Sequence, residues 1–101
     1  MKRILIIEDF KDTIDLIKNV LEDDNELYFA TTSKEAFEIL QNNPIDLVIT
    51  DLKLPDTSGL EILKIIKNLD PKISVIIVTG YGSITSAVDA MKNGAFDYLT
   101  K

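Results

Sequence analysis

Short apolar runs alternate with segments of helical period along this chain. Arg3-Ile4-Leu5-Ile6-Ile7 is apolar nearly throughout and stops on Glu8-Asp9. A strand covered on both faces looks like this, because neither side alternates with polar residues. From Thr13 the period becomes helical, with Ile14, Ile17 and Leu21 on one face and Leu16 and Val20 beside them. Asp23-Asp24-Asn25 is a turn, and Leu27-Tyr28-Phe29-Ala30 is a second strand, less aliphatic and suited to a sheet edge. Thr32-Ser33-Lys34-Glu35 has the capping-box pattern and opens a helix with Ala36, Phe37, Ile39 and Leu40 on its apolar side, stopped at Asn42-Asn43-Pro44. Leu47 to Thr50 is a third strand and delivers Asp51. Ser58-Gly59-Leu60-Glu61 repeats the capping-box pattern ahead of a helix that Asp70-Pro71 breaks. Val75-Ile76-Ile77-Val78 is a fourth strand, ended by Thr79-Gly80. A weaker helix, Ser83 to Lys92, stops at Asn93-Gly94. Asp97-Tyr98-Leu99-Thr100 is a short fifth strand before Lys101.

Strands separated by helix-sized spacers imply an α/β fold with a parallel, doubly wound sheet and right-handed crossovers. Such a sheet needs helices on both faces, and no helix pattern follows the fifth strand within residues 1–101. A bare face would be a large apolar patch of the kind soluble monomers avoid. The chain therefore reads as one domain, 1–101, truncated before a fifth helix, or as one whose open face a second chain covers in a homodimer.

Composition narrows the chemistry. The 101 residues are 46% hydrophobic and 28% charged, ordinary for a globular domain. No apolar run approaches the roughly 20 residues of a membrane helix, and the N-terminus has no signal-peptide pattern, so a cytoplasmic location is the default. Cysteine and histidine are both absent, which removes disulfides, thiolate sites, the commonest zinc ligand and the commonest neutral-pH base. A net charge of −6 argues against direct nucleic-acid binding by this segment.

In a parallel sheet Glu8-Asp9, Asp51, Thr79 and Lys101 all leave strands on one rim, where open α/β sheets bind ligands. Taken singly, each has a plainer reading as turn, cap or solvated tail. Taken together, they place three carboxylates at close quarters. Two unit charges ~4 Å apart repel by about 4 kcal/mol at an effective dielectric of 20. The cluster must take up protons, spread apart or hold a cation, and oxygen-only donors favour a hard ion such as Mg²⁺.

These residues, with Leu54-Pro55-Asp56-Thr57-Ser58-Gly59, Thr79-Gly80 and Gly94-Ala95-Phe96-Asp97-Tyr98-Leu99-Thr100-Lys101, resemble the receiver domain of two-component response regulators over the whole chain. Val78-Thr79-Gly80-Tyr81-Gly82-Ser83 and the closing run are similar to receivers of the nitrogen-regulator type, which sit ahead of an ATPase acting with sigma-54 polymerase. The resemblance implies a flavodoxin-like sheet of order 2-1-3-4-5. It implies that Asp51 is the phosphoacceptor and that Asp9, Asp51 and the backbone carbonyl of Lys53 ligate Mg²⁺, with Glu8 acting mainly through water. Thr79 would bond a phosphoryl oxygen, Lys101 would pair with the phosphoryl group, and Tyr98 would be the switching aromatic. The partners implied are a sensor histidine kinase as donor, since this chain has no histidine, and a transcriptional output domain. The domain would be no enzyme in the ordinary sense, but a phosphoacceptor that assists its own phosphoryl transfer and dephosphorylation. Lys53 and Tyr81 would flank the site and tune water access.

Three rivals use parts of this pattern. A haloacid-dehalogenase-type phosphatase needs a second Asp two positions after its nucleophile, where this chain has Lys53. A flavodoxin needs a Ser/Thr/Gly-rich phosphate loop after the first strand, where Glu8-Asp9 would repel the phosphate. A receiver used only for dimerisation would need no phosphoryl transfer.

Overall fold

In the computed structural model, which describes residues 2–80 and 82–101, the apolar runs are strands and the periodic segments are helices. In chain order they are β1 (Lys2–Ile7), α1 (Lys11–Leu21), β2 (Asn25–Ala30), α2 (Ser33–Asn42), β3 (Leu47–Thr50), α3 (Gly59–Leu69), β4 (Ser74–Thr79), α4 (Ile84–Lys92) and β5 (Asp97–Thr100). The sheet is parallel in the order β2-β1-β3-β4-β5, as the resemblance implied, and β2 is an edge. Tyr81 lies outside the described residues.

Local chemistry sets the element ends. Thr32 caps α2 and Ser58 caps α3, their hydroxyls accepting from the backbone N–H groups of Glu35 and Glu61. The reciprocal half of the box predicted at Thr32 does not form. Glu35 turns instead to the Thr31 N–H and hydroxyl, at 2.9 and 2.6 Å. The complete capping box stands at α4, where the Ser83 and Ser86 side chains each accept from the other residue's backbone. Gly94 follows that helix at φ +96°, a left-handed turn where a side chain would be strained. Helix α1 begins two residues earlier than the period suggests, at Lys11, and has no side-chain cap.

The core lies on the sheet face under α2, α3 and α4. Leu5, Ile7, Val48, Val75 and Ile77 meet Ala36, Ile62, Leu63, Ile66 and Ala90 there. Helix α1 buries no residue completely. The register sets the site. Ile7 pairs with Thr50, and Thr50 with Ile77, so Glu8 and Asp51 leave neighbouring strands abreast. Thr79 pairs with Thr100, which puts Lys101 just past the same rim.

Candidate functional site at the strand carboxyl ends

Each rim residue is held by the strand bonds beneath it. The Glu8 N–H donates to the Ala30 carbonyl at 2.9 Å, and the Asp51 N–H to the Ile7 carbonyl at 3.0 Å. The Lys101 N–H donates to the Thr79 carbonyl at 2.9 Å, which extends the β4–β5 ladder and fixes where the lysine side chain starts. Gly59, at the start of α3, matters by what it lacks: a Cβ there would collide with the Asp51 carbonyl oxygen.

The carboxylates converge. One oxygen from each of Glu8, Asp9 and Asp51 lies within 4.8 Å of the others. Glu8 and Asp51 are buried, at 3% and 6% exposure, while Asp9 is exposed. The Lys101 ammonium donates to Glu8 Oε1 at 2.6 Å and to Asp51 Oδ2 at 3.0 Å. The second Glu8 oxygen accepts from the Asp9 and Phe10 N–H groups at 3.1 and 3.2 Å. The Lys53 N–H faces Asp51 Oδ1 at 3.4 Å.

Burial and pairing pull these groups in opposite directions. Burial raises the Glu8 carboxyl above its ordinary range, and the Lys101 bond only partly offsets that. Burial would also raise Asp51, but the hydrogen bond and charge of Lys101 outweigh it and hold Asp51 low. Lys101 is raised, since its bonds to both acids outweigh its own desolvation. The lysine thus stands as the local counter-charge of a site that collects acid.

Of the residues the sequence singled out, Glu8, Asp9, Asp51 and Lys101 are in one cluster. The Lys53 backbone sits beside them, and a cleft over the rim is lined by Asp9, Asp51, Lys53, Gly80 and Lys101. Thr79 closes β4 with its side chain fully buried, on the strand next to the one that carries Asp51. Tyr98 lies on β5, and its hydroxyl meets Ser86 Oγ at 2.6 Å. Sequence reading did not single out Ser86 or Gly82 as neighbours of Tyr98. The three-residue spacing of Ser83 and Ser86, a capping pattern with serine in its last place, is the signal that points to Ser86. A Cβ at Gly82 would stand 2.7 Å from the Tyr98 hydroxyl, so the aromatic packs on bare backbone there.

A family model for the response regulator receiver domain matches residues 4–101. The chain belongs to that family. Receiver domains are signalling modules of two-component systems, and the fold and the acid cluster agree with that membership. The response regulator protein PilR of Pseudomonas aeruginosa is 40% identical over 104 residues, covering 99% of this chain and 23% of PilR. The chain spans less than a quarter of the length of the curated relatives it matches. The beryllofluoride-activated NtrC4 receiver domain dimer is 31% identical with a TM-score of 0.93, over 100% of this chain and 84% of that one. A response regulator protein from Burkholderia pseudomallei, with a phosphorylated aspartic acid, a calcium ion and citrate, is 30% identical with a TM-score of 0.90 over 100% of this chain and 60% of that one. Receiver domains typically hold a divalent metal, and the oxygen-only donor set of Glu8, Asp9 and Asp51 suits a hard divalent ion. No helix among the described residues is long and apolar enough to cross a membrane.

Proposed function

We propose that Asp51 accepts a phosphoryl group from a phosphohistidine of a sensor histidine kinase, and that the resulting change of state controls a transcriptional output domain elsewhere in the full-length protein. The nitrogen-regulator resemblance favours an output that includes a sigma-54-dependent ATPase and a DNA-binding domain. The observation that carries the reading is the placement of Asp51. It is a buried carboxylate held ionised by Lys101, beside two further acids with converging oxygens.

An ionised carboxylate oxygen is the nucleophile, and attack on phosphorus makes an acyl phosphate as the donor's P–N bond breaks. Asp9, Asp51 and the Lys53 carbonyl would hold Mg²⁺ directly, with Glu8 behind them. When bound, that ion neutralises phosphoryl charge and aligns the reacting oxygens. Lys101 supplies the second positive charge and passes from Glu8 and Asp51 to the phosphoryl oxygens. Thr79 supplies a hydroxyl to one of those oxygens.

Switching a two-state domain from 1:99 to 99:1 needs about 5.5 kcal/mol of differential stabilisation. One charge-assisted hydrogen bond is worth about 1.5–3 kcal/mol. Thr79 alone falls short, so Thr79 and Lys101 must act jointly with the metal. The Tyr98 hydroxyl on Ser86 gives the movement a route: as the segment from Thr79 to Ser86 draws inward, Tyr98 follows and reshapes the surface of α4 and β5.

Incubation with acetyl phosphate and Mg²⁺, followed by intact-mass measurement, tests the reading. One added phosphoryl group, absent in Asp51→Asn, is the expected result. Rapid release of phosphate with no adduct would mean phosphatase chemistry instead. No reaction at all would leave a module that works without phosphorylation.

A further inference from the structure

We propose that Asp56 is a positioning residue for the metal-facing backbone at Lys53, because its carboxylate ties the loop after β3 to the first turn of α2. The inference rests on the metal-assisted reading above. The loop has its own internal bonds. The Leu54 N–H donates to the Thr57 carbonyl at 3.0 Å and the Gly59 N–H to the Leu52 carbonyl at 2.7 Å, while Lys53 and Ser58 form an antiparallel bridge. These bonds give the loop a shape. They leave its tilt over the rim to be set from outside.

Asp56, at the loop's tip, supplies that outside contact. It accepts from the Ser33 N–H at 3.1 and 3.2 Å and from the Ser33 hydroxyl at 2.5 Å, across 23 residues of sequence. Ser33 is the first residue of α2, so its N–H has no partner within the helix, and the helix dipole favours a carboxylate there. The post itself is firm. Thr32 Oγ1 accepts from the Glu35 N–H at 3.2 Å, and Glu35 reaches back to Thr31. At the loop's other end Gly59 packs directly on the Asp51 carbonyl. A loop pinned at base and tip cannot pivot, and Lys53 lies between the two pins. Freeing the tip leaves Asp51 and the acids in place while the Lys53 carbonyl swings.

Outer-shell partners of metal ligands typically contribute about 10–100-fold in affinity. Asp56 acts through a loop backbone, so about three- to tenfold is expected for Asp56→Ala. The test is Mg²⁺ calorimetry on wild type, Asp56→Ala, Asp56→Asn and Ser33→Ala, with amide hydrogen exchange at Lys53 and Leu54 in Mg²⁺-free protein. Asp56→Ala should weaken Mg²⁺ binding and speed exchange at these amides, with the limiting rate of phosphorylation by acetyl phosphate restored at high Mg²⁺. Asp56→Asn keeps an oxygen for the Ser33 N–H and should recover most of the affinity. Should Asp56→Ala fail to fold, Ser33→Ala decides by the same measurements, with a smaller loss. An Asp56→Ala protein, or a Ser33→Ala protein if Asp56→Ala does not fold, that binds Mg²⁺ like wild type or loses limiting rate with affinity intact overturns the role of Asp56 alone. A wild-type protein that binds no Mg²⁺ overturns the metal-assisted reading and this inference together.

Discussion

The two faces of the sheet carry similar residues in different surroundings. Under α2, α3 and α4, Leu5, Ile7, Val48, Val75 and Ile77 have no exposed surface. On the other face Ile4 and Ile6 of β1 are covered, but Ile49, Ile76 and Val78 are only half-buried and Leu99 is exposed. Those four line an apolar groove beside Leu16, Ile17, Val20 and Leu21 of α1. Leu16 and Val20 are themselves 64% and 71% exposed. An apolar run thus states a strand's demand for cover on both sides. Whether each side receives it depends on which crossover helices pass there.

The largest expected effect lies on the covered face. Ile77→Ala should cost about 2–5 kcal/mol, as usual for a large buried aliphatic, read as a fall in urea midpoint at constant slope. Binding at the rim, where the faces meet, comes next. Mg²⁺ at a hundred times its dissociation constant should raise stability by about 2.7 kcal/mol, and Asp51→Asn should reduce that gain.

The rim also has a pH signature. Because the folded Glu8 carboxyl is raised, its contribution is present below the ordinary glutamate range and is lost as pH rises through the raised value. Glu8→Gln should remove that loss from the stability–pH curve. Asp51 has the opposite sign, its contribution present above the ordinary aspartate range and lost as pH falls through its lowered value. A Glu8→Gln curve parallel to wild type would mean that burial does not govern this acid.

The open face should respond least. Ile76→Ala is expected to cost about 1–2 kcal/mol, less than Ile77→Ala, since part of its surface already meets water. Leu16→Lys should fall within about 0.5 kcal/mol of wild type. Equal costs for Ile76→Ala and Ile77→Ala would break the comparison and mean that something covers the α1 side in solution. Light scattering on the same samples would show whether that cover is a second copy.

Residue order by itself determined the number, type and succession of the elements. It did so because period, caps and breakers act within a few residues: β3 and β5 lie where their apolar runs lie, and Gly94 turns where Asn93-Gly94 marks a stop. It also named the acids and the lysine, because strand ends of a parallel sheet share a rim. Only the tertiary structure decided which groups touch. Lys101 bonds Glu8 across 93 residues, Asp56 reaches Ser33 across 23, and Ser86 meets Tyr98 across 12. The capping boxes make the same point on a small scale: Glu35 had two nearby donors to choose from, and the three-dimensional path of the β2–α2 turn selected Thr31. Local patterns carry the demand for partners, and the packing of distant segments chooses among those within reach.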